Sequence, residues 1–213
     1  MRKLVVLMLA AALGGCATVS SQSPMFAPAP EKSALAGIYG IPGDKGSIDL
    51  VVRRRDASSY DAFLFNPEEP HQEGLAAEFS AVPLSGGDYV LQVSCLASRK
   101  DDGKGPWEMA PAGFQYWTLA AARPHGDYWL GFNLTNDAAD ALSAKYKQTH
   151  DKDGIKLAGL SPDRARAFFS DWLGMQLAEG GDRMLPVTRK LDESETDATF
   201  KNPTTCRQAM KAH

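Results

Sequence analysis

Between Leu35 and about Leu134 apolar residues recur at every second position, and that period constrains the chain more than any other feature. Ile48, Leu50 and Val52 form one row and Asp49, Val51 and Arg53 the other. Tyr60, Ala62 and Leu64 follow, with Phe63 and Phe65 on the opposite face. Leu75, Ala77, Phe79 and Ala81 continue the pattern, then Tyr89, Leu91, Val93 and Cys95. Phe114, Tyr116, Thr118 and Ala120 make the next row, and Tyr128, Leu130, Phe132 and Leu134 the last. Successive side chains of a strand point to opposite faces, so this alternation marks half-buried strands. Gly43-Asp44, Asp56 to Ser59, Gly86-Gly87-Asp88 and Gly126-Asp127 supply turn chemistry between them. Short links join neighbours antiparallel. The pattern predicts a mainly β, α+β fold: an antiparallel meander of about six to eight strands over 34–135, as a sheet or a partly closed barrel.

After Leu134 the period changes to that of helices. Asn136 or Asp137 caps a first helix through Ala138, Leu142 and Tyr146. Ser161-Pro162 starts a second, because a capping hydroxyl followed by proline suits the first helical position. Ala165, Phe168, Phe169, Trp172, Leu173 and Gln176 fall on one stripe, and Gly180-Gly181 ends it. Met184 to Leu191 could add a late strand, Glu193 to Asp197 reads as a loop, and Thr204 to Lys211 as a short helix. Residues 136–213 are therefore expected to be a helical C-terminal part packed on the sheet.

The amino terminus has its own logic. Arg2 and Lys3 precede an uncharged apolar run, Leu4 to Leu13, which ends in Gly14, Gly15 and Cys16. A basic start, a short apolar core and small residues at the end describe a cleavable export signal over 1–15, too short to span a bilayer. The tetrad Leu13-Gly14-Gly15-Cys16 resembles the lipobox of bacterial lipoproteins. That resemblance implies cleavage between Gly15 and Cys16 and acylation of Cys16, on sulfur and on the new amino terminus. Ala17, where an Asp would favour inner-membrane retention, implies the periplasmic face of the outer membrane. Residues 16–33, rich in Ser and Pro, are expected to form a flexible tether spanning roughly 20–25 Å. Loss of Arg2 and Lys3 takes the formal charge from −3 to −5. That mild acidity gives no pull toward nucleic acid.

Once Cys16 carries lipid, Cys95 and Cys206 remain, an even pair in a compartment that permits disulfides. They form either one disulfide or two independent thiols, with Cys95 buried. A second resemblance, to small bacterial lipoproteins built on a β-meander, rests on strand and turn positions. These are Gly37-x-Tyr39, Tyr60, Phe79-x-Ala81-x-x-Leu84-x-Gly86-x-x-Tyr89 and Gly126-Asp127-x-x-x-Leu130, followed by a helix. It implies the fold and carries no activity.

The chain offers little recognisable chemistry. His71, His125, His150 and His213 are scattered without metal-ligand spacing, and no nucleophile elbow or phosphate loop is present. Asp151-Lys152-Asp153-Gly154 fails the calcium-loop pattern and reads as a turn. No cofactor or metal is expected. Arg53 and Arg55 share a face and are either a solvated strand end or a docking point for an anionic group such as a peptidoglycan carboxylate. Trp117 and Trp129 fall on the parity opposite Tyr116 and Tyr128. They either pack under a helix or form an exposed aromatic platform for an envelope protein or glycan. The expectation is a lipid-anchored binding or assembly component of the envelope, without catalysis. The alternatives are a lipocalin-like carrier of a small apolar ligand, if the meander closes around a cavity, and a hydrolase with dispersed residues.

Overall fold

The computed structural model describes residues 16–27, 35–43, 46–66, 69–99, 105–110, 112–122, 127–178, 184–192 and 203–211. The signal segment 1–15 with Gly15, positions 28–33 of the expected tether, His125, Gly180-Gly181, the 193–197 loop and His213 lie outside the described residues. In chain order the elements are β1 (Cys16–Ala17), β2 (Val19–Ser21), β3 (Gly37–Gly43), β4 (Gly46–Arg54), β5 (Tyr60–Asn66) and β6 (Glu69–Pro83). Then come β7 (Tyr89–Arg99), β8 (Trp107–Met109), β9 (Phe114–Ala122), β10 (Asp127–Gly131), β11 (Leu134–Thr135) and α1 (Asn136–Tyr146). The chain continues through β12 (Thr149–Asp151), β13 (Gly154–Leu157), α2 (Pro162–Ala178), β14 (Met184–Asp192) and α3 (Cys206–Lys211).

Eight antiparallel strands close into a barrel in the order β9-β10-β14-β3-β4-β5-β6-β7, with β7 returning to pair with β9. The rows read from alternation set its two faces. Tyr60, Ala62, Leu64, Leu75, Ala77 and Phe79 belong to the inner cluster, and Val51, Phe63 and Phe65 to an outer one. Two regions of the outer face are also buried. On one side α2 packs Phe168, Phe169 and Trp172 against Tyr116 and Val90, with α1 adding Leu142 and Tyr146. On the other, α3 covers Phe63, Phe65, Ala76 and Trp107.

Two rows change sides. Cys95 continues the inner row of β7 by simple alternation, but Glu78 pairs with Cys95 and Phe79 with Val93, so Ser94 is an extra residue. One inserted residue reverses every side chain beyond it. Cys95 and Ala97 therefore face outward and Leu96 inward. Tyr116 is in the core, with Phe114 partly buried against it, but it is the outer core beneath α2; Trp117 and Leu119 are the inward residues of β9.

The C-terminal part is not simply helical. β14 sits between β10 and β3 and completes the barrel, while β12 and β13 form a hairpin beside β2. The first helix is capped one residue earlier than expected: the Thr135 hydroxyl accepts from the Ala138 amide at 3.3 Å. Ser161 caps α2 as its sequence implies, accepting from the Arg164 amide at 3.4 Å.

The expected tether is the largest correction. Ala17, Val19 and Phe26 are buried. β2 pairs with β9 along the edge that β10 leaves open. Beyond β2, side chains of the barrel replace strand partners. The Gln92 amide accepts from the Phe26 amide and donates to its carbonyl, each at 3.1 Å. The Tyr116 hydroxyl accepts from the Met25 amide at 3.0 Å and meets Ser21 Oγ at 2.8 Å. Three apolar anchors spread over ten residues leave no period to read, so composition alone suggested a coil. Leaving a buried partner unpaired costs about 1–3 kcal/mol. Tyr116→Phe and Gln92→Leu should each destabilise by that order. The double variant should release the N-terminal segment, seen as new protease cleavage between Ala17 and Ala27 under conditions where the parent resists.

Candidate binding cavity

Eight strands enclose an interior that side chains either fill or leave open for one small ligand. Residue size along the barrel axis decides which occurs here. At one end Tyr60 stacks on its cross-strand partner Phe79, with ring centroids 5.3 Å apart and planes at 16°. The next layer pairs Ala62 with Ala77, and the one after pairs Leu64 with Leu75. Of the alanine pair, Ala62 lines the space that opens next to this end. The resulting cavity measures about 1090 Å³ and is walled by inward residues such as Ile41, Leu50, Ala62, Leu91, Leu130 and Val187.

The floor is polar but satisfied. Arg189 lies 5.3 Å over the Tyr39 ring. It donates to the Tyr39 hydroxyl at 2.7 Å and to the Ala36 carbonyl at 3.3 Å. Tyr39 donates in turn to the Leu35 carbonyl at 2.7 Å. Burial pushes the Tyr39 phenol up to about 12 against the opposing influence of Arg189. The floor thus carries a neutral phenol whose proton is already bonded, and it asks no polar partner of a ligand.

The opposite end is the mouth. The exposed Gln22, Ser23, Ala112, Ala158 and Gly159 are among its lining residues, so the cavity reaches solvent there. The rim is polar, with Glu108, Gln115, Asn133, Asp153 and Lys156 around it. Just inside, Trp117 stands edge-to-face on Phe132, centroids 5.1 Å apart and planes at 78°.

This geometry divides the expected binding surface. Trp117 faces the interior and lines the cavity, whereas Trp129 is on the outer face in register with Ala120 and is 36% exposed. The two tryptophans form no shared platform, because strand register puts them on opposite faces. Arg55 is committed within the fold: its guanidinium bonds Asp61, with Nε 3.1 Å from Oδ2, and also pairs with Glu78. Arg53 is in register with Asp61 on the same outer face. Arg55 is therefore part of an ion cluster within the fold.

The same cluster fastens the C-terminus. Cys95 and Cys206 are joined in a disulfide, and the adjacent Arg207 forks onto Glu78 at 2.7 and 2.8 Å. In the chain-entropy model a loop of this length contributes about 4–5 kcal/mol. His150 Nδ1 meets Asp140 Oδ1 at 2.7 Å, tying β12 to α1 at the surface. Asp151 accepts from the Asp153 amide at 2.8 Å, a turn contact that fits the reading of that loop. Among the described residues no group of three metal-ligating side chains occurs, and no helix is long and apolar enough to cross a membrane.

Sequence reasoning placed most of the cavity wall as core and named a cavity only as the alternative that follows if the meander closes. The one local signal was small residues at inward positions, Ala62 and Ala77, facing each other across strands. The chain matches no family model, no curated protein and no solved structure.

Burial alone would raise the Glu78 carboxyl; hydrogen bonds from Arg207 and Arg55 outweigh it and hold the group below the ordinary carboxylate range. Its folded value is thus lower than its unfolded one. The resulting stabilisation is complete above the ordinary carboxylate pKa and is lost as pH falls through the folded value. Glu78→Gln should lower Tm at about pH 7, and the gap to the parent should narrow as pH falls below the ordinary carboxylate range. Paired melting curves across that range check this.

Proposed function

We propose that this protein is a lipid-anchored component of the bacterial envelope that binds a small apolar or amphipathic ligand inside its barrel, without catalysis. The observation that carries the reading is the cavity of about 1090 Å³, apolar in depth and open at one end. Small-molecule sites run to about 300–1,000 Å³ and combine an apolar wall with a few polar groups that set orientation. The anchor rests on Leu13-Gly14-Gly15-Cys16 and its resemblance to a lipobox; Ala17 supports the outer membrane by the same resemblance. Two or more acyl chains provide stable attachment, at about 0.8 kcal/mol for each buried methylene.

Ligand binding is tested on the soluble Cys16→Ser form. Titration with an anthroyloxy-labelled fatty acid should give saturable energy transfer from Trp117. Ala62→Trp fills the open layer and should weaken that binding at least tenfold, about 1.4 kcal/mol, while leaving the fold cooperative. An interior that binds neither this probe nor any co-purifying lipid by native mass spectrometry would refute the carrier reading. Anchoring is tested separately. Bacteria expressing the full chain and fed alkyne-tagged palmitate should label it, and Cys16→Ser should abolish the label.

A further inference from the structure

The chain after Cys16 does not lead away from the barrel. Cys16 pairs with Thr135 and Ala17 with Leu134. The Thr18 carbonyl accepts from the Ile155 amide at 2.8 Å, and the Thr18 hydroxyl donates to the Asp153 carbonyl at 3.0 Å. Gly154 makes this approach possible: its φ is +110°, and a Cβ there would overlap the Thr18 carbonyl. Val19 to Ser21 then pair with β9 on one side and β13 on the other. Thr18 to Ser23 belong to the cavity mouth, as does Asn133, the neighbour of the Leu134 that pairs with Ala17. Two residue steps, through Ala17, separate Cys16 from Thr18, about 7 Å. A free coil of the kind its composition suggests would let the domain turn in any direction above its anchor. A paired strand that joins the anchor to the rim does not.

We propose that Cys16 holds the mouth of the cavity against the bilayer, and that the cavity takes an acyl-chain amphiphile directly from that bilayer. This rests on the anchor and carrier readings above. The ligand class follows from where polar groups lie. The deep wall is apolar apart from the hydroxyls of Tyr39 and Tyr128, and that of Tyr39 is already paired. A polar group in the middle of a ligand would enter this region and exchange its water for at most the single Tyr128 hydroxyl. The rim instead offers both signs of charge in Glu108, Asp153 and Lys156. A molecule with a long apolar tail and one polar end matches both zones. With the mouth at the surface, the tail passes from hydrocarbon to cavity with little exposure to water, which is the main barrier to moving such a molecule.

The test compares the acylated full-length protein with a variant carrying a 20-residue Gly/Ser insertion between Cys16 and Ala17, a flexible spacer of the order of 25 Å. Both are placed in phosphatidylethanolamine and phosphatidylglycerol vesicles containing a trace of pyrene-labelled lysophospholipid. Uptake is followed by energy transfer from tryptophan, and a Trp117→Phe control identifies the part that arises in the cavity. Soluble Cys16→Ser forms with and without the insertion give the equilibrium affinity for the same probe. Equal affinities together with at least tenfold faster uptake by the native linkage are expected. Equal uptake rates, or no uptake by either anchored form while the soluble forms bind, would overturn the membrane-facing mouth and leave the carrier reading standing. Failure of the soluble forms to bind would overturn the carrier reading itself.

Discussion

The pairing of β7 with β9 is the constraint on which the other features depend. β9 meets β7 through Gln115 to Leu119 on one edge. On its other edge it meets β10 through Thr118 to Ala122 and β2 through Phe114 to Tyr116. Closure removes the free edges of an eight-stranded sheet, a hazard open sheets must manage otherwise. It also fixes an inside. Once Trp117 and Leu119 point inward, Tyr116 and Thr118 must point outward, and the outer row needs a cover. α2 is that cover, and Gly131 lets it come close: a Cβ there would lie 2.5 Å from Gln176 Oε1.

Buried polar side chains hold the outer elements in place. Gln176 is fully buried, donates to the Asn133 carbonyl at 2.9 Å and accepts from the Thr118 hydroxyl. Gln92 does the same service for the N-terminal segment, and Glu78 for α3. Each lies where an element outside the strand ladder meets the barrel. Apolar contact alone would let these elements slide; an amide or carboxylate with fixed partners defines one position.

The sequence makes the inner faces of β4, β5 and β6 legible because Leu50 to Val52, Tyr60 to Leu64 and Leu75 to Ala81 alternate without a break, the register shifts between β5 and β6 falling beyond Leu64. It does not reveal the side exchange at Cys95, which depends on a single extra residue, Ser94, visible only in the pairing with β6. It does not reveal that Tyr116 lies outside, since a buried outer row and a buried inner row look alike when both faces are covered. The position of β14 was equally hidden: the late strand is readable from Met184 to Leu191, but its place between β10 and β3 is a fact of closure. The committed role of Arg55 needed its partners Asp61 and Glu78 in view, and Glu78 comes from another strand. Alternation reports which residues leave water. It does not report what they meet.

That distinction accounts for the helices. A void inside a barrel deprives its inner layer of dispersion contacts that a packed core would supply. Ala62 lines that space at a position where a larger residue would fill part of it. The fold compensates on its outside, where α2 buries Phe168, Phe169 and Trp172, and α3 closes over Phe63, Phe65 and Trp107 under a disulfide. Both faces of the sheet are therefore hydrophobic for different reasons. The outer face supplies the close packing that keeps the barrel in one shape, and this frees the inner face to remain incompletely filled. The helices and the disulfide are thus part of what makes an open interior compatible with a stable fold.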